Sequence, residues 1–224
     1  MRILIASSRN WYCVDRSITD EHEVKLVTSR LQLSKDSLDD FSPDIVFFPH
    51  WNWAVPADIY DRFECIVFHT APLPYGRGGS PIQNLILRGF QTAPVCALQM
   101  GPILDGGGIY DKCEIDLNGS LKDIFERMNL AVNSLIIRIV KNDLTPSPQK
   151  GEVVTFKRLT SEDNQLVPGL SLKQFYDRIR MLDHDEYPNA FIIFDNYKIE
   201  FLNVKAELDG LVCHSKISLI EDGS

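Results

Sequence analysis

The sequence predicts an α/β fold with a mainly parallel sheet, followed by a small C-terminal subdomain, and three observations carry that prediction. Short apolar runs alternate with helical or irregular segments through the first half, as buried parallel strands require. The length of 224 residues suits one α/β domain and an appendage, at about 150 residues per domain. Periodicity then breaks at Thr145-Pro146-Ser147-Pro148, and a different pattern follows.

Each element has a local reason. Residues 2–6, 24–27, 44–48, 65–68 and 95–100 are apolar runs of strand length. The first of them ends in Ser7-Ser8-Arg9-Asn10 without a glycine, so the GxGxxG turn that seats a dinucleotide pyrophosphate is missing and NAD and FAD are excluded. Ser80-Pro81 ahead of Ile82, Leu85 and Ile86 is a helix start, with serine to cap free amides and proline at the first helical position. Ser120 and Asp123 open a longer amphipathic helix whose stripe of Leu121, Ile124, Phe125, Met128, Leu135 and Ile139 is core. Residues 146–152 read as a linker. Beyond it come a strand at 153–157, a capping box of Ser171 and Gln174, and strands at 190–194 and 197–203 joined through Asp195-Asn196. The Asp209-Gly210 turn then leads into a strand at 211–220. This tail, residues 153–224, is α+β or all-β and small for independent folding.

Composition narrows the partners. With 44% apolar and 24% charged residues the chain is globular rather than disordered or fibrous. Lys plus Arg number 23 against 31 Asp plus Glu, a net charge of −8, whereas a nucleic-acid binder normally carries a basic face, so nucleic acid is not expected. Cys13, Cys65, Cys96, Cys113 and Cys213 are odd in number and lack a CxxC pair, which argues for reduced thiols, a cytoplasmic location and no metal site. No apolar run approaches the roughly 20 residues of a membrane span, and no leader is visible.

The chemistry concentrates in residues 68–83. His69 emerges at the C-terminal end of a predicted strand, where open α/β sheets place ligands, and a Pro/Gly-rich loop follows into the helix at Pro81. Residues 99–108 supply Asp105 within a second glycine-rich loop. An imidazole and a carboxylate on neighbouring strand-end loops form a general-base pair, the carboxylate fixing the ring's tautomer. A lone histidine after a strand is equally the pattern of a packed residue, and Leu104-Asp105-Gly106-Gly107-Gly108 that of a tight turn. The residues alone leave both readings open.

The combination of His69-x-x-x-Leu73-Pro74, Arg77-Gly78, Ser80-Pro81-Ile82-Gln83 and Leu104-Asp105-x-Gly107 resembles the folate-dependent formyltransferases, over residues 1–145. That family includes methionyl-tRNA formyltransferase, glycinamide ribonucleotide transformylase and sugar N-formyltransferases. Phe48-x-His50-Trp51-x-Trp53, the Tyr75 to Pro81 run, Ile179 to Asp183 and Tyr187-Pro188 look most like the sugar enzymes of bacterial nonulosonic (pseudaminic-type) acid pathways. The resemblance implies a Rossmann-like formyltransferase domain at 1–145, a linker at 146–152 and an α+β subdomain at 153–224. It also implies transfer of a formyl group from 10-formyltetrahydrofolate, without a metal, to the amine of an amino sugar, nucleotide-linked or nonulosonic. A homodimer is compatible with it, and neither nucleic acid nor membrane is an expected partner.

On this resemblance His69 and Asp105 are catalytic. The family's third residue, an asparagine two positions before the histidine, is Val67 here, which leaves open what steadies the oxyanion. His50 and Asn52 are the candidate replacements, His50 slightly favoured as a donor, and the alternative is that residues 50–53 only wall the pterin pocket. Trp51, Gln99, Met100, Gly101, Leu104 and Gly106 are the expected folate contacts. Tyr75, Arg77, Gly78, Gly79 and Ser80 are the expected substrate contacts, Arg77 either gripping an anion or holding its own loop. Two rivals follow. A methionyl-tRNA formyltransferase is disfavoured because residues 151–224 hold 8 Lys plus Arg against 13 Asp plus Glu, a net of −5. An inactive folate or sugar-nucleotide binder is suggested by Val67 and opposed by the retained His69 and Asp105.

Overall fold

A computed structural model describes residues 1–220. In chain order the strands are β1 (Arg2–Ala6), β2 (Glu23–Val27), β3 (Ile45–Phe48), β4 (Cys65–Thr70), β5 (Tyr75–Gly78), β6 (Thr92–Gln99), β7 (Ile109–Asp116), β8 (Val154–Phe156), β9 (Ala190–Phe194), β10 (Tyr197–Ala206) and β11 (Leu211–Leu219). The helices are α1 (Arg16–Glu21), α2 (Lys35–Phe41), α3 (Ala57–Tyr60), α4 (Pro81–Leu87), α5 (Leu121–Asn142) and α6 (Leu172–Arg180). The described residues divide into two compact units, the first formed by Met1–Gly78, Ala93–Ile115 and Arg127–Thr155, the second by Gly79–Thr92, Asp116–Glu126 and the chain from Phe156 onward.

The first unit is organised by a six-stranded sheet in the order β2-β1-β3-β4-β6-β7. β1, β2, β3 and β4 pair in parallel, and their apolar runs are buried because a parallel sheet is covered on both faces. Ile3, Leu4, Val46, Phe47, Phe48 and Ile66 have no exposed surface. The sheet is thus mainly parallel at this end, and β6 departs from it: it pairs antiparallel to β4, from Ile66↔Gln99 to Thr70↔Val95. An apolar run encodes burial but not direction, so this reversal is silent in the sequence. β7 is also unannounced, since Asp111, Lys112, Glu114 and Asp116 make it look solvated; it lies at the sheet edge, where charge is tolerated. Helices α1, α2 and α3 are too short, at 6, 7 and 4 residues, to display a helical period.

Residues 146–152, expected as a linker, are fastened rather than free. The backbone of Ser147 exchanges hydrogen bonds of 2.8 and 2.9 Å with Ile109, and Val154 N–H donates to Pro74 O at 3.2 Å. β5 and β8 form a two-stranded sheet.

In the second unit β11-β10-β9 form an antiparallel sheet, and α6 packs on it through Phe175 and Phe201, ring centroids 5.8 Å apart. The Ser171–Gln174 capping box forms at the head of α6 as the sequence predicts. The cap at α4 does not: Ser80 sits in the left-handed region at φ 48 and makes no side-chain cap. Its hydroxyl instead accepts from Leu159 N–H at 3.1 Å, while the Asn84 amide donates to Gly79 O, Ser80 O and Lys157 O. Arg180, buried, donates to Asp177 and to the carbonyls of Leu117 and Gly119. Among the described residues no helix is long and apolar enough to cross a membrane.

Candidate active site

The site lies at the C-terminal end of β4, within the first unit. His69 is the penultimate residue of β4, still paired with Cys96 of β6, and alternation along the strand puts Val67 and His69 on one face. The following loop turns into β5, of which Gly76 and Gly78 bond the two site residues. Gly76 O lies 2.7 Å from Nε2 of His69, and because a carbonyl only accepts, Nε2 carries the proton. Gly78 N–H donates to Oδ2 of Asp105 at 2.9 Å. The same carboxylate oxygen lies 3.4 Å from Nδ1 of His69, and both side chains are buried, at 7% and 9% exposure.

With Nε2 protonated, the neutral ring turns the Nδ1 lone pair toward the Asp105 carboxylate. One proton placed between them is met from both sides, so the pair is arranged to take up one proton and give it back. The loop bearing Asp105 is tightly specified. Asp105 is left-handed at φ 51, and a Cβ on Gly107 would stand 1.8 Å from Gln99 O, so no side chain fits there.

Beside Asp105 opens a cleft of ≈ 260 Å³ whose lining includes Val55, Tyr60, Val67, Met100, Ile103 and Leu104. Gln99 and Gly101 also line it. A largely apolar cleft with Asp105 and Gln99 in its lining suits a ring system with polar edges. Of the expected folate contacts, Gln99, Met100, Gly101 and Leu104 are therefore in the cleft. Gly106 is in the adjoining turn, its N–H bonded to Ile103 O at 3.0 Å. Trp51 is not in the wall; it packs on Phe48 at 6.1 Å and Trp53 at 4.8 Å, at the margin of the β1–β3 core.

The proposed oxyanion donors are elsewhere too. His50 is left-handed at φ 53, and its ring rests against Trp11 at 4.4 Å and Tyr12 at 5.9 Å, outside the cleft lining. Its Nε2 is buried without a partner among the described residues. Burial, aided by the Arg9 charge, lowers its pKa to about 3, so it is neutral at physiological pH. Asn52 is exposed and also absent from the lining.

Among the expected substrate contacts, Tyr75, Arg77 and Gly78 stand on β5. Arg77 holds a loop: Nε and Nη2 donate to Oε1 of Gln149 at 3.1 and 2.8 Å. Gly79 and Ser80 belong to the second unit, where a Cβ on Gly79 would meet that of Arg158 at 2.4 Å, so they serve packing against residues 157–159. Sequence reasoning missed Tyr60 and Val55, carried by the short α3 region, and Gln149, hidden in the Pro-rich stretch. Among the described residues no group of three or more His, Cys, Asp or Glu is placed to hold a metal ion.

Comparison with known proteins bears on this arrangement. A family model described as methionyl-tRNA formyltransferase, C-terminal domain, matches residues 161–218. The methionyl-tRNA formyltransferase of Rickettsia bellii (strain RML369-C) is 29% identical over 159 residues, covering 66% of this chain and 52% of that protein; the chain spans about half the length of the curated relatives it matches. A solved structure named methionyl-tRNA formyltransferase from Clostridium thermocellum is 32% identical, covers 98% of this chain and 99% of its own, and superposes with a TM-score of 0.94. HypX from Aquifex aeolicus, solved in complex with tetrahydrofolic acid, shares the fold at 20% identity and a TM-score of 0.76, over 91% of this chain and 38% of that one. The expected kinship with sugar enzymes is corrected by these names, since the relatives at 29% and 32% identity are methionyl-tRNA formyltransferases. With 32% identity over nearly the whole of both chains, the chain belongs to the formyltransferase family.

Proposed function

We propose that the protein transfers a formyl group from 10-formyltetrahydrofolate to the α-amino group of methionyl-tRNA. The observation that carries the transfer is the buried His69–Asp105 pair, 3.4 Å apart, whose aspartate lines a largely apolar cleft. The cleft suits a pterin, flat and apolar on its faces, and HypX, of the same fold, is described in complex with tetrahydrofolic acid. Val67, Met100 and Leu104 would line the ring's faces. 10-Formyltetrahydrofolate supplies the one-carbon unit when bound.

The residues manage the proton. As the acceptor amine forms its bond to the formyl carbon it sheds one proton, and Nδ1 of His69 with Asp105 receives it. As the carbon–nitrogen bond to the folate breaks, the same proton goes to the departing nitrogen, so the pair ends as it began. Gly76 and Gly78 hold ring and carboxylate facing each other meanwhile.

The acceptor is supported by the relatives' names. The exclusion of nucleic acid on charge grounds is therefore withdrawn. The −5 balance of residues 151–224 bears on the strength of electrostatic grip, not on the amine chemistry, and predicts weak binding with a shallow salt dependence. The test is incubation with 10-formyltetrahydrofolate and, in parallel, methionyl-tRNA, uncharged tRNA and free methionine, followed by mass spectrometry of the product. Formyl-methionyl-tRNA from the first alone supports the reading. No formylated product despite folate binding overturns it, in favour of a folate-binding protein in which Val67 marks lost catalysis.

A further inference from the structure

Resting on the formyl-transfer reading, we propose that Gln149 is a positioning residue that sets the Asp105 carboxylate against His69. Its Nε2 donates to Asp105 O at 2.7 Å and to Gly107 O at 2.9 Å, so one amide grips the loop on both sides of Gly106. Its Oε1 accepts twice from Arg77. Only one orientation of the amide serves two carbonyls and a guanidinium together, which fixes the side chain.

The contacts close a circuit through β5. Gly76 accepts from His69, Arg77 donates to Gln149, and Gly78 donates to Asp105. Three consecutive residues of one strand thereby hold the ring, the carboxylate and, through Gln149, the backbone from which the carboxylate hangs. That backbone needs holding, because Asp105 sits at φ 51, a region a non-glycine residue keeps only where its surroundings enforce it. The proton-sharing gap between Nδ1 and Oδ2 is already 3.4 Å. A small shift of the loop would open it, while the cleft walls at Val55, Tyr60 and Val67 would stay in place.

Two substitutions separate positioning from general support. Gln149→Glu keeps the acceptor for Arg77 but removes both donors to the loop; Gln149→Ala removes everything. Each should lower kcat for formyl transfer about 10- to 100-fold, the size of effect that misplacement of a reacting group by about 1 Å produces. The KM for 10-formyltetrahydrofolate and the calorimetric Kd for 5-formyltetrahydrofolate should each change by less than kcat does, because Leu104 and Asp105 of the same loop line the cleft and a purely lining role would show there in full. A spectroscopic readout stands apart from turnover. In ligand-free protein at a fixed pH, the ring ¹⁵N resonances of His69 should move in Gln149→Glu toward their positions in Asp105→Asn. Unchanged His69 resonances, or a kcat loss matched by an equal loss of folate affinity, would overturn the proposal. Wild-type protein that transfers no formyl group, with His69 resonances that still respond to Gln149→Glu, would sink the formyl-transfer reading and leave the positioning role standing.

Discussion

Asp105 meets two demands that pull against each other: its carboxylate is 9% exposed beside a histidine, and its backbone is left-handed. The Gly78 N–H bond partly replaces lost hydration, and the unshared lone pairs remain for the proton. Asp105→Asn keeps the shape and can still accept from Gly78, but offers no charge to a proton on His69. We expect it to fold normally and to lose about two to four decades of turnover, the usual worth of a positioned acid–base group, as measured by single-turnover assay on protein with an unchanged melting profile. His50 gives a different prediction. Its folded pKa of about 3 lies below the value near 6.5 of an unfolded histidine, so the unfolded chain binds the extra proton between those limits. Stability tied to neutral His50 is thus complete above about pH 6.5 and drains away as pH falls toward 3. Denaturant unfolding at pH 7 and pH 5 should show a smaller loss for His50→Phe than for wild type; equal losses would remove the burial argument.

At the scale of single elements, β4 sets both the acid–base pair and its deficiency. Val67 and His69 share a face, and Val67, partly buried, both lines the cleft and packs against the β1–β3 core. Val67→Asn therefore gives up apolar packing at a partly buried position, and the expected stability cost is about 1–3 kcal/mol, read as a lowered melting temperature. One added donor near the reacting carbon is worth up to about 3 kcal/mol when aligned, so turnover should rise, by up to about a hundredfold. A fall in turnover without unfolding would show that the chain handles the oxyanion in a way an asparagine obstructs. β4 also shows what was legible in the sequence. Its apolar run, its place in a sheet and the emergence of His69 at its end could all be read, because burial and strand-end geometry leave a pattern. The reversal of β6 could not, since Val95 to Leu98 would look the same in either direction. Nor could the absence of His50 from the cleft lining: His50-Trp51-Asn52-Trp53 shows polar groups at a strand end, and the contacts of the His50 ring with Trp11 and Tyr12 leave no pattern there. Gln149 lies in a stretch whose prolines report that periodicity stops, not that one amide there ties two loops together.

At the scale of the whole molecule, the backbone passes between the two units at 78/79, 92/93, 115/116, 126/127 and 155/156. One helix, α5, gives Leu121 and Ile124 to the second unit and Val132, Leu135 and Ile136 to the first, all fully buried. Elements that share a continuous helix lose their cores together, so calorimetry should record one cooperative transition. Two resolved transitions would show that α5 can melt in halves. A fragment ending at residue 145 would lack residues 146–155 of the first unit, Gln149 among them, and should stay unfolded or molten by near-ultraviolet circular dichroism. The interleaving also bears on how such a chain can change over generations. No single crossover point in its gene separates one unit intact from the other, so neither can be traded for a foreign module by a simple exchange. Change must come by substitution in place, at positions such as Val67 that line the cleft.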